Sequence, residues 1–168
     1  MTSEVGIGST FVVEIPFEIA PPPEEFPVKE AAPSGDIHGL KLLLAEDNEL
    51  NADIAGTLLT DAGAHVTIVK NGKKAVDCFE AAPPGTFDAI LMDVMMPVMD
   101  GLAATRAIRA IPRADARQIP ILAMTANAFE EDARQCLAAG MNVHLAKPLQ
   151  MDKVLAALME CCGKKKDL

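Results

Sequence analysis

Five short apolar runs with a helix-length segment after each constrain this chain more than any other feature. The runs are LKLLLA (40–45), HVTIV (65–69), DAILMD (88–93), PILAMT (120–125) and VHLAK (143–147). They are close to continuously apolar rather than alternating, which predicts strands buried on both faces, as in a parallel sheet. The segments between them repeat apolar residues at helical spacing: Leu50, Ile54 and Leu58; Ala75, Val76 and Phe79; Leu102, Thr105, Ile108 and Arg109; Ala133, Cys136 and Leu137; Val154, Leu155, Leu158 and Met159. Gly63 and Gly140 stand where such helices end, at positions that often need a left-handed cap. Right-handed crossovers then give a doubly wound α/β sandwich of three layers, a (βα)5 unit starting at Gly39 and ending near Gly163.

The first 38 residues have a different texture. GIGSTFVVEIPFEI, within residues 1–19, alternates like a strand after a glycine turn. Residues 20–38 are rich in Pro, Glu and Ala and read as an extended linker. These 38 residues hold seven acids against one lysine, so most of the net charge of -9 lies outside the βα region. Their removal is expected to leave the stability of the βα region nearly unchanged. Lys164, Lys165 and Lys166 in the tail 164–168 read as a solvated end. An acidic chain without Trp or Tyr is a poor nucleic-acid binder. No apolar run approaches the roughly 18 residues of a membrane helix, no secretory leader is visible, and the expected location is cytoplasmic. The four cysteines form no CxxC pair, so reduced thiols are expected in place of a zinc cage.

Polar residues gather at the carboxyl ends of the runs, where a doubly wound sheet binds its ligands. They are Glu46, Asp47 and Asn48 after the first, Asp93 after the third, Thr125 after the fourth, and Lys147 and Pro148 after the fifth. Three carboxylates meeting at one rim repel one another. A hard divalent cation such as Mg²⁺, held by one or two carboxylates and a backbone carbonyl, relieves that repulsion, and Lys147 adds to it. A carboxylate so placed can attack phosphorus and form an acyl phosphate, while cation and ammonium neutralise the transferring oxygens.

LLLAEDN, LMDVMMPVMDG, AMTAN and AKPL, in this order and spacing, resemble the receiver domain of two-component signalling, over about Gly39 to Cys162. The resemblance implies a flavodoxin-like fold with strand order 2-1-3-4-5. It implies that Asp93 is the phosphoacceptor, that Glu46 and Asp47 are the acidic pair with Asp47 the direct Mg²⁺ ligand, and that the Met95 carbonyl is a further ligand. Thr125 would bind the phosphoryl group and report its arrival, and Lys147 would pair with it. Lys147–Pro148 would be a cis bond, which only X–Pro adopts cheaply. His144 falls where many receivers carry a Tyr or Phe that turns inward, so it would act as a switch with Thr125. Met95 and Asn127 fall where side chains tune water attack on the phosphoryl group. Asn48, Leu50, Asn51 and Ile54, opening the first helix, would meet a partner, although Leu50 and Ile54 also fit a core. Asp100–Gly101 reads as a structural turn.

SEVGIGSTFVVEIPF resembles the last turn and strand of a histidine-kinase ATP-binding domain, without its nucleotide boxes or its phosphorylatable histidine. Tail, linker and receiver together resemble part of a hybrid sensor histidine kinase. The expected partners are that kinase's phosphohistidine domain in cis and a histidine phosphotransfer protein. The isolated receiver would be a monomer and the parent a homodimer, with any membrane anchor upstream. The fragment would catalyse only gain and loss of its own aspartyl phosphate, not the kinase reaction. Two other classes stand beside this reading: a pseudo-receiver that binds partners without taking phosphate, and an aspartyl phosphatase. The phosphatase would want a second acid where Met95 stands.

Overall fold

The computed structural model describes residues 2–4, 6, 8–10, 37–126 and 130–163, in two units, Met1–Ala31 and Ala32–Leu168. In the first unit β1 (Thr2–Glu4) and β2 (Gly8–Thr10) pair antiparallel, with Thr2 opposite Thr10. Gly6, at φ 82°, lies between them. The rest of the alternating run, residues 20–36 of the linker and the basic tail lie outside the described residues.

In the second unit the apolar runs form β3 (Lys41–Ala45), β4 (His65–Val69), β5 (Ala89–Asp93), β6 (Ile121–Thr125) and β7 (Val143–Ala146). All pair parallel in the order β4-β3-β5-β6-β7. Counted along this unit, that is the expected 2-1-3-4-5. Successive strand residues point to opposite faces, so continuous apolarity supplies both layers. Leu43, Ala45, Ile90, Met92, Ile121 and Ala123 face one core, shared with α2 (Gly72–Ala81), α3 (Gly101–Ala110) and α5 (Glu130–Ala139). Leu42, Leu44, Leu91, Leu122 and Met124 face the other, shared with α1 (Glu49–Asp61) and α6 (Met151–Cys162).

Helix α1 turns a different side to the sheet than its largest residues suggest. Its buried face is Ala52, Ala55, Gly56 and Leu59. Leu50, Ile54 and Leu58 are 69%, 51% and 42% exposed. Small residues let the helix lie close to the sheet: a Cβ on Gly56 would stand 2.9 Å from Cδ1 of Ile68. The apolar stripe therefore faces outward.

The core begins before the Gly39 boundary read from the sequence. Ile37 is 1% exposed and packs with Leu42, Leu59 and Leu158, and its carbonyl accepts a bond from the Leu40 N–H. A chain starting at Ile37 should match the full chain in urea unfolding. One starting at Gly39 should lose about 3 kcal/mol, the transfer and cavity cost of a buried isoleucine. Equal stability of the two truncations would mean that Ile37 fills no essential space.

A short helix, α4 (Ala114–Gln118), was not anticipated. The Arg113 guanidinium stacks 4.7 Å from the Phe79 ring centre. It donates to the carbonyls of Phe79, Glu80 and Ala82 at the end of α2 and makes a two-pronged bond to Asp115. Asp115 also accepts from the Gly85 N–H. Hydrogen bonding from Arg113 holds the Asp115 carboxyl down at about 2, against the opposing effect of burial. A depressed carboxyl contributes stability above its ordinary value of 3.8, and that contribution is lost as pH falls towards about 2. The gap in melting temperature between wild type and Asp115→Asn should therefore be wide at neutral pH and close below about pH 4. A gap independent of pH would remove the ion pair as its cause.

Candidate functional site

The parallel register brings the strand ends to one rim. Ala45 lies opposite Met92 and Thr125 opposite Ala146, so Glu46, Asp93, Thr125 and Lys147 emerge side by side. Past the rim the backbone stays anchored: the N–H of Glu46 bonds Val69 O, that of Val94 bonds Met124 O, and that of Lys147 bonds Thr125 O. Glu46, Asp93 and Thr125 are 3%, 4% and 3% exposed; Asp47 is solvent-exposed.

The Lys147 ammonium holds this arrangement together. Its Nζ lies 2.7 Å from Oδ2 of Asp93 and 2.6 Å from Oε2 of Glu46. The other Asp93 oxygen, Oδ1, accepts from the Met95 N–H at 3.1 Å. Burial pushes the Asp93 carboxyl above its ordinary pKa, opposed by the hydrogen bond and charge of Lys147. Burial pulls Lys147 down, but its bonds to Asp93 and Glu46 outweigh it and leave the pKa raised. The lysine is therefore an ammonium at neutral pH.

One oxygen from each of Glu46, Asp47 and Asp93 lies within 4.8 Å of the others. Three hard oxygen donors at that spacing suit a divalent cation such as Mg²⁺. This set fits the ion on its own chemistry.

The loop after β5 is closed by backbone contacts. Asp100 caps α3, its Oδ1 accepting from the Ala103 N–H at 2.7 Å, and the Gly101 N–H bonds Val94 O. A Cβ on Gly101 would stand 2.2 Å from the carbonyl oxygen of Asp93. The DG pair is thus more than a turn: α3 starts against the backbone of Asp93. Only the distance across the loop reveals this; the sequence offers the pair alone.

Of the residues expected on a partner surface, Leu50 and Ile54 face outward. Asn48 is the N-cap of α1, accepting from the Asn51 N–H. Asn51 sends its side-chain amide to Oε1 of Glu46 at 3.2 Å, a contact the sequence reading missed. Its position three residues after the cap and five after the acid is the signal that could have found it. His144 is half-buried on β7, opposite Ala123. The side chain of Met95 is 74% exposed. Lys147–Pro148 is a cis bond. Asn127 lies outside the described residues. A groove of about 430 Å³ opens beside the acid pocket, lined among others by Asn51, Ile54, Leu58, Lys147, Pro148 and Met151.

A doubly wound parallel sheet carrying an acid cluster and a lysine at its carboxyl edge defines the class of phosphoryl-accepting signalling domains. Residues 42–159 match the response regulator receiver domain, and the chain belongs to that family. Hybrid signal transduction histidine kinase I of Dictyostelium discoideum is 41% identical over 111 residues, covering 65% of this chain and 6% of that protein. Sensor protein GacS of Pseudomonas syringae pv. syringae is 39% identical over 125 residues, covering 73% of this chain and 13% of its own length. The chain thus spans a small part of these relatives. Among solved structures, the receiver domain of sensor histidine kinase PA1611 from Pseudomonas aeruginosa PAO1, with magnesium coordinated in its active-site cleft, superimposes with a TM-score of 0.67. It is 42% identical, covering 74% of this chain and 98% of that one. The Saccharomyces cerevisiae Ssk1 receiver, crystallised with the histidine phosphotransfer protein Ypd1, has a TM-score of 0.67 at 27% identity, covering 76% of this chain and 92% of that chain. Among the described residues no helix is long and apolar enough to cross a membrane.

Proposed function

We propose that Asp93 accepts a phosphoryl group from a phosphohistidine and passes it on or releases it to water, within a hybrid kinase of which residues 1–19 are the end of the ATP-binding domain. The observation that carries this is the Lys147 ammonium bridging Asp93 and Glu46 in a buried pocket. In the transfer, one oxygen of Asp93 bonds to phosphorus, the phosphorus–nitrogen bond breaks, and its electron pair returns to the donor imidazole. Lys147 neutralises charge on the phosphoryl oxygens. The Thr125 hydroxyl donates to one of them and turns towards the group when it arrives. His144 then moves inward, towards the space that Thr125 leaves. Glu46, Asp47, Asp93 and the Met95 carbonyl would hold Mg²⁺, with Asp47 a direct ligand; when bound, the ion offsets negative charge at the phosphoryl group.

The partners are the kinase's own phosphohistidine domain in cis and a histidine phosphotransfer protein, the latter docked on the outward stripe of Leu50 and Ile54 and the groove beside it. An apolar stripe 51–69% exposed at Ile54 and Leu50, with Ile54 lining the groove that Glu46 and Lys147 also line, supports this surface.

Incubation with acetyl phosphate and Mg²⁺ tests the reading. A lasting phospho-form at Asp93 supports a receiver. No reaction would make the chain a pseudo-receiver, and rapid turnover without accumulation a phosphatase. The exposed Met95 side chain is expected to shield phosphorus from water, so Met95→Asn, whose amide can hold a water by a hydrogen bond, should speed loss of the phosphoryl group about tenfold, the rate equivalent of one ordinary hydrogen bond. An unchanged half-life would end the shielding idea.

A further inference from the structure

Glu46 is a buried carboxylate whose two oxygens have different donors. Oε2 takes the Lys147 ammonium at 2.6 Å, and Oε1 takes the Asn51 side-chain amide at 3.2 Å. We propose that Asn51 is a positioning residue for the acid pocket: by holding Oε1 it fixes the carboxylate plane of Glu46, and through Glu46 it fixes Lys147 on Asp93. This rests on the receiver reading above and adds a residue that the sequence had assigned to the docking surface.

The local fold prepares Asn51 for the task. Asn48 caps α1 by accepting the Asn51 N–H at 3.1 Å, and its carbonyl accepts the Ala52 N–H at 2.9 Å. The backbone of residue 51 is therefore fixed at the first turn, and its amide is turned back towards the end of β3. The residue is otherwise exposed, so its side chain fills no core space.

The chemistry explains why an amide stands there. A neutral donor satisfies Oε1 without discharging the carboxylate, so the negative charge remains for Lys147 and for a cation beside it. A lysine or arginine at 51 would compete with Lys147 for Glu46. An aspartate would repel it. Without a donor, Oε1 of a buried carboxylate would lose a hydrogen bond. The group would turn to recover one, and Lys147, which bridges Glu46 and Asp93, would follow.

The test compares Asn51→Ala and Asn51→Gln with wild type in the full chain. Three quantities are read: the NMR signal of the Lys147 ammonium without metal, Mg²⁺ affinity by calorimetry, and the rate of Asp93 phosphorylation by acetyl phosphate. Asn51→Ala should shift the Lys147 signal and weaken Mg²⁺ affinity and rate about tenfold, as removal of an outer-shell partner does, with an unchanged melting temperature. Asn51→Gln, which keeps the amide donor, should recover most of the loss. An alanine variant with wild-type signal, affinity and rate overturns the proposal. So does glutamine failing as fully as alanine, which would make residue 51 part of the helix start alone. If wild type itself takes no phosphoryl group, the receiver reading fails, while the Lys147 signal still decides the role of Asn51.

Discussion

Asp93→Asn should take up no phosphoryl group from a phosphohistidine donor or from acetyl phosphate, and its fold should survive. The amide lacks a carboxylate oxygen able to form an acyl phosphate. Its neighbours are retained: the asparagine carbonyl can still accept the Met95 N–H, and Lys147 keeps Glu46 at 2.6 Å. The substitution also removes a carboxyl whose pKa burial has raised. Such a group binds its proton more tightly in the folded state, so in wild type it lowers stability as pH rises from its ordinary value through the raised one. The variant should lack that decline and melt no lower than wild type at neutral pH. Phosphate-affinity electrophoresis and melting curves across pH read both outcomes. Label retained at wild-type level, or found on Asp47 in wild type, would sink the assignment of the nucleophile.

Gly101→Ala should lose about 3 kcal/mol of stability, at the upper end of the cost of overpacking, and phosphorylate far more slowly. Local propensity argues the other way, since Ala is favoured over Gly inside a helix by about 1 kcal/mol. The tertiary contact decides the sign. The new Cβ would lie 2.2 Å from the Asp93 carbonyl oxygen and 3.0 Å from Cγ of Met92. The first of these is backbone and cannot swing aside. Either α3 moves off β5 or the end of β5 moves off Lys147. A displacement near 1 Å at a reacting group can cost about 100-fold in rate. Urea unfolding and acetyl phosphate kinetics measure the two effects. An alanine variant as stable as wild type would show that helix propensity governs this position.

Much of the fold was legible before any coordinates. The apolar runs matched the β-strands of the second unit to within a residue at each end. The central strands β3, β5 and β6 are buried on both faces, as expected, whereas the edge strands β4 and β7 are largely half-buried or exposed because each has a neighbouring strand on one side only. The polar residues that gather at the rim were legible because they interrupt those runs at their carboxyl ends. Helix α4 was not, since it depends on Arg113 reaching the end of α2, more than thirty residues away. Ile37 was hidden because a single apolar residue after a proline-rich stretch carries no period. Periodicity tells which residues of α1 share a face, but not which face meets the sheet. The large residues Leu50, Ile54 and Leu58 fit either a partner surface or a core by spacing alone; Ala52, Ala55 and Gly56 lie on the buried side, and a side chain at Gly56 would obstruct the close approach to Ile68. The roles of Gly101 and Asn51 follow the same rule. Residue type and spacing set what each strand and helix can bury; the distance between elements remote in sequence decides which atom a side chain meets, and that distance exists only once the sheet and its helices have packed.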